Sequence, residues 1–418
     1  MKLTFKTDPI FMSVNNSNKN IIKIFYPIIC KRSDGINITM LNNILTHTNK
    51  KYNTLSSYDK KYNDLYIMNY SISSNKFNDT LLFEITFTIP KLGLIDEFDL
   101  DEAFKFLRES LYEPYANDLG FDELSFNFLK NNLSLREKDY PHSINEYASD
   151  TFLDFFDEKN ETYIHREEYL KSLDEATKES VYDFYKRSIL NNNFFVCMCG
   201  NDKDKDIIIN TFNKYFKQDK KEITIDINYY NILDLKEYKN KEITTKYEES
   251  VLNLFYQIID YQKEDRFLLE MLFYFLSSKE NDLLYKKLRN EHNLIYHHFV
   301  NYSFIYGCFG IRVFFNINDL DQVKKDIDDV FNLIKDENNF NTYKANLIKA
   351  IKYDILSSKD DVYNESNILL EKMINKEYIS LEEKLSLFDN ITYNDMLLFI
   401  NRIKLTREMI MKSGENHE

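Results

Sequence analysis

IKIFYPII at residues 22–29 and LNLFYQII at residues 252–259 are one phrase written twice. Their tyrosines, Tyr26 and Tyr256, stand 230 positions apart, and the same offset keeps residue types in step downstream. LNNILTHTNKKYNTLSSYDKKYNDLYIMNYSI (41–72) falls on MLFYFLSSKENDLLYKKLRNEHNLIYHHFVNY (271–302), so that Tyr66 lands on Tyr296. At the far ends FFVCMCGND (194–202) resembles REMIMKSGEN (407–416), each an apolar run followed by glycine. This period is far too long for a solenoid, and the chain reads as two copies of one unit of roughly 200 residues.

Each copy follows one order. A strand is followed by a helix (about 36–50 and 262–277), a second short helix, and a pair of strands (64–74 with 81–90, and 293–304 with 307–316). Helices come next, such as DEAFKFLRESLYE and DLDQVKKDIDDVFNLIKD, whose apolar residues recur every three or four positions. Asp99 or Asp101, and Asn318 or Asp319, are the expected N-caps. Hairpin strands with helices segregated to one side describe an α+β fold. The expectation is two similar domains, each an antiparallel or mixed sheet with helices packed on one side, facing each other across a linker. The boundaries read as 1–218, a charge-rich linker at 219–248 that lacks helical periodicity, and 249–418.

Composition narrows the function. The 418 residues carry a net charge of −14, which argues against nucleic acid or an anionic membrane as partner. Seven glycines form neither G-x-G-x-x-G nor G-x-x-x-x-G-K, so dinucleotide and P-loop sites are excluded. The opening MKLTFKTDPIFM has no apolar stretch of signal-peptide length, and no run of about 18 apolar residues occurs anywhere. Cys30, Cys197, Cys199 and Cys308 are scattered; alternation puts Cys197 and Cys199 on one strand face, and buried reduced thiols are the plainer reading. A reduced, soluble, cytoplasmic protein is expected.

A duplicated α+β unit of this order resembles the insulinase-like metallopeptidases, the family of pitrilysin and the mitochondrial processing peptidase. LLYKKLRNEHNLIYHHFVNYSFIYGCFGIRVFF looks like that family's C-terminal signature, an arginine followed seven residues later by a tyrosine: here Arg289 and Tyr296. LDEATKESVYDFYKRSILNNNFFVCMCGND resembles the end of the family's N-terminal domain. Size and the phrase HTNKKYNTLSSYDKKYNDLY look most like the bacterial short-chain members, especially the non-catalytic partners of two-subunit peptidases.

Active members carry His-x-x-Glu-His on the first helix, two imidazoles on one face for zinc and a glutamate as general base. The resemblance aligns Thr39, Asn42 and Asn43 with those positions. Neutral hydroxyl and amide groups are poor zinc ligands, and Asn cannot take a proton. The third ligand should fall near Leu135 or Arg136, and neither serves. No metal is therefore expected in this chain; zinc is expected in a homologous partner with an intact motif. Arg289 and Tyr296 would donate hydrogen bonds to a substrate carbonyl at that partner's zinc.

Other groupings are weaker. His165-Arg166-Glu167-Glu168-Tyr169 has Tyr where a second His would be needed, and reads as a polar segment. His297 and His298 point to opposite strand faces and cannot readily share a metal with His292; His142 and His417 are isolated. Gly307-Cys308-Phe309-Gly310 reads as a hairpin turn rather than a nucleic-acid loop. Three functions stay open: the non-catalytic subunit of a heterodimeric zinc peptidase acting on peptides or their precursors, a pseudo-peptidase that only binds peptide or protein, and a hydrolase with an unrecognised site.

Overall fold

The computed structural model describes residues 2–14, 16–29, 31, 34–77, 80–138, 143–153, 155–156, 166–218, 222–226, 235–278, 281–304, 306–358, 361–374 and 379–414. Within them the repeated phrases become the middle strands of two five-stranded sheets. The first sheet is ordered Ile10–Ser13, Phe195–Gly200, Lys19–Ile29, Thr80–Pro90, Asn69–Phe77. The second is ordered Lys239–Thr245, Ile403–Ser413, Ser250–Ile258, Cys308–Phe315, Ile295–Ser303. In each the first pairing is parallel and the others antiparallel. Tyr26 registers with Phe83 and Tyr256 with Phe309, and both tyrosines are buried in the core of their own sheet. The two-domain α+β architecture read from the sequence is the one observed.

The middle strands are rich in β-branched and aromatic residues and buried on both faces, which is why they read as continuous apolar runs. The helices that form the main core lie on one face. Gly35–Ile44, Leu55–Asp64 and Leu100–Tyr112 serve the first sheet, and Arg266–Ser277 and Leu320–Ile334 the second. Leu320–Ile334 buries Val323, Ile327, Val330, Phe331 and Ile334, a stripe at helical spacing. Asp99 caps Leu100–Tyr112, accepting from the amides of Asp101 and Glu102. In the second unit the capping side chain is Asn316, because a 3-10 turn, Ile317–Asp319, precedes the helix. The first helix stops at Ile44, short of the expected residue 50; there Thr46 donates to the Asn42 carbonyl and the His47 ring lies 2.5 Å from that of Asn43.

The opposite face of each sheet also carries a helix. Val362–Ile374 packs on the first sheet, closing Phe25 and Cys197 under Leu369 and Ile374. Ile144–Leu153 packs on the second, closing Val251, Phe314 and Met409 under Ile144 and Ala148. Each of these helices comes from the other half of the sequence. The compact units are therefore discontinuous: residues 1–140, 158–229 and 357–378 form one, and 141–157, 230–356 and 379–418 the other. Contiguous boundaries at 218 and 249 miss this exchange, because an amphipathic face shows that a helix is buried but not on which sheet. The stretch read as a linker also contributes strands. Glu222–Asp226 pairs antiparallel with Lys2–Lys6, and Lys239–Thr245 forms the parallel edge of the second sheet. Its charges hid the short alternation of Ile223 and Ile225.

The glycines noted at the ends of the repeat close equivalent strands, where another chain segment passes too near for a side chain. A Cβ at Gly200 would stand 1.9 Å from Asn20 Oδ1, and one at Gly414 2.4 Å from the Thr245 carbonyl oxygen. Asn20 cannot retreat: it is buried, its amide donates to Asp204 Oδ2 at 2.9 Å, and its Oδ1 accepts from the Asn201 amide. Gly200→Ala should therefore lower unfolding free energy by about 1–3 kcal/mol, as overpacking does. A urea denaturation midpoint equal to wild type would show that the contact has room to relax.

Candidate functional site

The chain leaves the second sheet's helical layer through a π-helical turn, Lys286–Glu291, which places Arg289 beside the start of the edge strand. The turn closes with Asn293 at a φ of 53° in the left-handed region, its amide donating to the Arg289 carbonyl at 3.0 Å. The half-buried Arg289 reaches across and donates from Nη1 to the Ile295 carbonyl oxygen at 2.9 Å. That carbonyl belongs to the peptide unit leading into Tyr296. Ile295 registers with Phe315 and His297 with Phe314, so Tyr296 is the extra residue of a β-bulge. The residue is 53% exposed and its hydroxyl has no hydrogen-bond partner among the described residues. One guanidinium N–H fixes the bulge; the remaining N–H groups and the phenol are left to act as donors.

A second anchor holds the same turn. His292 Nδ1 lies 2.5 Å from Asp326 Oδ2, and Gln322 Nε2 donates to the other carboxylate oxygen at 2.8 Å. Asp326 is fully buried on the helix Leu320–Ile334. Sequence reading missed this partner, although an aspartate on the apolar stripe next to Ile327 was the available signal. His297 stacks on Phe314 at 3.9 Å, on the face away from the main core. His298 faces the other way, its Nε2 3.2 Å from Asp282 Oδ1 but out of line for a hydrogen bond. The two histidines do not converge.

Thr39, Asn42 and Asn43 lie on Gly35–Ile44 in the other unit. Thr39 Oγ1 donates to the Gly35 carbonyl at 3.3 Å and Asn43 Nδ2 to the Thr39 carbonyl at 2.8 Å, so both side chains are spent on their own helix. Asn42 Oδ1 is buried without a partner among the described residues. His47 follows the helix end, with Nδ1 turned back to the Asn43 carbonyl, and lines a cleft of about 210 Å³ with Leu55, Leu124 and Phe128. Of the expected third-ligand positions, Leu135 is exposed and Arg136 sits 3.5 Å from the largely buried Glu137. These donors do not fit zinc, which takes imidazole, thiolate or carboxylate. Among the described residues no three His, Cys, Asp or Glu side chains gather as a metal site.

The remaining candidates resolve simply. Cys197, Cys199 and Cys308 are buried, and burial pushes the Cys199 and Cys308 thiols up to about 12 and that of Cys197 higher still, so all three stay protonated. Gly307, at a φ of 62°, makes the turn before Cys308–Phe315. Glu168 and Tyr169 lie on the helix Arg166–Glu175, Tyr169 against the first core; Cys30, His142, His165 and His417 lie outside the described residues. No described helix is long and apolar enough to cross a membrane.

Comparison with known proteins gives this geometry a relationship. Residues 175–347, which include Arg289 and Tyr296, match the family model described as the Peptidase M16 inactive domain. Over 261 residues the chain is 22% identical to the probable inactive metalloprotease YmfF of Bacillus subtilis; the match spans 62% of this chain and 60% of that relative's length. A conserved protein from Enterococcus faecalis has the same fold, with a TM-score of 0.80 at 16% identity over 100% of this chain and 99% of that one. A protease from Helicobacter pylori follows with a TM-score of 0.73 at 12% identity, covering 99% of each chain. Fold and site together define a duplicated α+β scaffold, shared with those structures, in which the residues that the resemblance aligns with a zinc motif are Thr39, Asn42 and Asn43. Residues 175–347 are thus similar to the inactive type of M16 domain, and the resemblance to insulinase-like peptidases stands.

The anchor at Asp326 has a measurable consequence. Asp326→Ala removes the acceptor of two hydrogen bonds in a buried position, which should lower stability by about 1–3 kcal/mol. Thermal unfolding should show the loss, and hydrogen exchange should show opening confined first to residues 286–296. An unchanged melting temperature would mean that His292 and Gln322 find other partners.

Proposed function

We propose that this chain is the non-catalytic subunit of a heterodimeric zinc-dependent peptidase that processes peptides or peptide precursors. It supplies Arg289 and Tyr296 to the zinc site of a homologous partner that carries an intact His-x-x-Glu-His. One observation carries the reading: an exposed tyrosine with no hydrogen-bond partner, held on a bulge that an arginine fixes through the adjoining peptide carbonyl. A fold-stabilising tyrosine would bury its ring; this one is presented. The partner's metal would polarise the scissile carbonyl and activate water, while a guanidinium and a phenol stabilise the oxygen that gains charge. The inactive type of the matched family model and the helix-bound Thr39 and Asn43 side chains support placing the metal elsewhere.

Reconstitution with the partner tests this. A hydrogen bond to a charged group contributes about 1.5–3 kcal/mol, so Tyr296→Phe should lower kcat/KM of the complex by about ten- to a hundred-fold. Zinc content and assembly should not change, because the hydroxyl has no hydrogen-bond partner among the described residues. Arg289→Ala should cost as much in rate and additionally about 1 kcal/mol in stability, since it also frees the Ile295 carbonyl. Arg289→Lys should rescue only in part, keeping charge but losing the planar fork. Wild-type turnover in both the Phe and the Ala variants would overturn the proposal and favour a chain that binds peptide without assisting its cleavage.

A further inference from the structure

The two sheets share a topology but differ in how they treat a buried charge. In the first unit Lys23, on the middle strand, meets Glu84 at 2.8 Å and Asn367 Oδ1 at 2.6 Å, under the helix Val362–Ile374. Glu84 also accepts from Asn75 and Thr86, so the charge pair is closed. In the second unit the position equivalent to Lys23 is Asn253, and its cross-strand partner is Arg312. The guanidinium is half-buried and donates from Nε to Asn253 Oδ1, and from Nη1 to the Asn145 carbonyl, Asn145 Oδ1 and Ser149 Oγ. Every one of these acceptors is neutral, and Nη2 has no acceptor among the described residues. Burial pushes the Arg312 guanidinium down to about 10, with no carboxylate opposing the shift.

The register shows where the missing carboxylate would stand. Glu84 pairs with Phe25 in the first sheet; the corresponding partner of Phe255 in the second is Gly310. A Cβ there would meet only the Leu254 carbonyl oxygen, at an ordinary contact distance of 3.6 Å, so a side chain could start at this position without a clash. Asn253, 3% exposed, leaves its Nδ2 buried without an acceptor at the same place. Asn145 lies in the first turn of Ile144–Leu153, whose N-terminal dipole adds positive potential. A cation, an orphaned amide donor and a helix start thus stand around a position that carries a carboxylate in the other unit and glycine in this one.

We propose that Arg312, Asn253 and the position of Gly310 form a subsite for a carboxylate of a bound peptide, either an acidic side chain or a free C-terminus. As a peptide subsite it rests on the peptide-binding reading above; as a carboxylate site it rests on the second sheet alone. A bidentate carboxylate would accept from Arg312 Nη2 and Asn253 Nδ2 together and supply the missing charge.

The test uses the full chain and two kinds of probe. Fluorescein-labelled ten-residue peptides of alanine and tyrosine, one ending in a free carboxylate, one amidated, and one amidated with a central glutamate, are compared by anisotropy. The free acid or the glutamate peptide should bind about tenfold tighter than the plain amide, as a charged hydrogen-bonded pair implies, and which of the two does so identifies the source of the carboxylate. That preference should vanish in Arg312→Met and weaken in Arg312→Lys. Gly310→Glu should abolish it without loss of thermal stability, by supplying the carboxylate from within. Equal binding of acid and amide would overturn the subsite while leaving peptide binding intact. If no peptide binds, the peptide-binding reading fails, and glutarate decides the site itself. A glutarate-dependent rise in melting temperature that Arg312→Met and Gly310→Glu remove would sustain it, and no rise would refute it.

Discussion

Everything in this chain depends on a middle strand that must be buried on both faces. Lys19–Ile29 and Ser250–Ile258 are apolar on either side, so a helical layer on one face cannot satisfy them. Each sheet needs cover on its second face, and each takes it from the opposite half of the sequence: Val362–Ile374 for the first, Ile144–Leu153 for the second. Neither unit's sheet is covered by its own half of the chain alone. Removing either half would strand apolar residues such as Phe25 or Phe314, each fully buried, in water.

That cover also decides what polar chemistry the sheets carry. Where a helix closes over a strand charge, the charge must be paired or left costly. The first unit pairs Lys23 with Glu84. The second keeps Arg312 among neutral acceptors and puts glycine where the acid would be. The edge of the second sheet shows the same economy of position. A bulge turns Tyr296 out, and the turn that supports it is tied down twice, by Arg289 to a backbone carbonyl and by His292 to a buried aspartate. Donors are thus displayed in one unit, while in the other the helix that the resemblance aligns with the zinc motif has its Thr39 and Asn43 side chains folded onto its own backbone.

Much of the fold was legible because duplication doubles the signal. The repeated phrase located both middle strands, and the hairpins after them fell within a few residues of Asn69–Phe77 with Thr80–Pro90 and Ile295–Ser303 with Cys308–Phe315. The helix exchange was not legible, since nothing in Ile144–Leu153 or Val362–Ile374 names the sheet it will cover. The edge strand Lys239–Thr245 was hidden for a related reason: its alternation is weak and its charges lie on an exposed edge. For the site, the sequence supplied Arg289 and Tyr296 through resemblance, but not the bulge that exposes one and the carbonyl that holds the other. Arg312 escaped notice altogether, because an arginine in an apolar strand gives no sign of whether an acid will reach it.

The central claim is that this chain contributes donors and not a metal. Zinc content of the homogeneous full-length chain, measured by atomic emission after dialysis against excess zinc and then buffer, tests it most directly. The account predicts far less than one zinc per chain, because Thr39, Asn42 and Asn43 offer neutral groups already bound to their own helix or unable to serve as ligands. One tightly held zinc per chain, released together with a peptidase activity of the isolated protein, would contradict it.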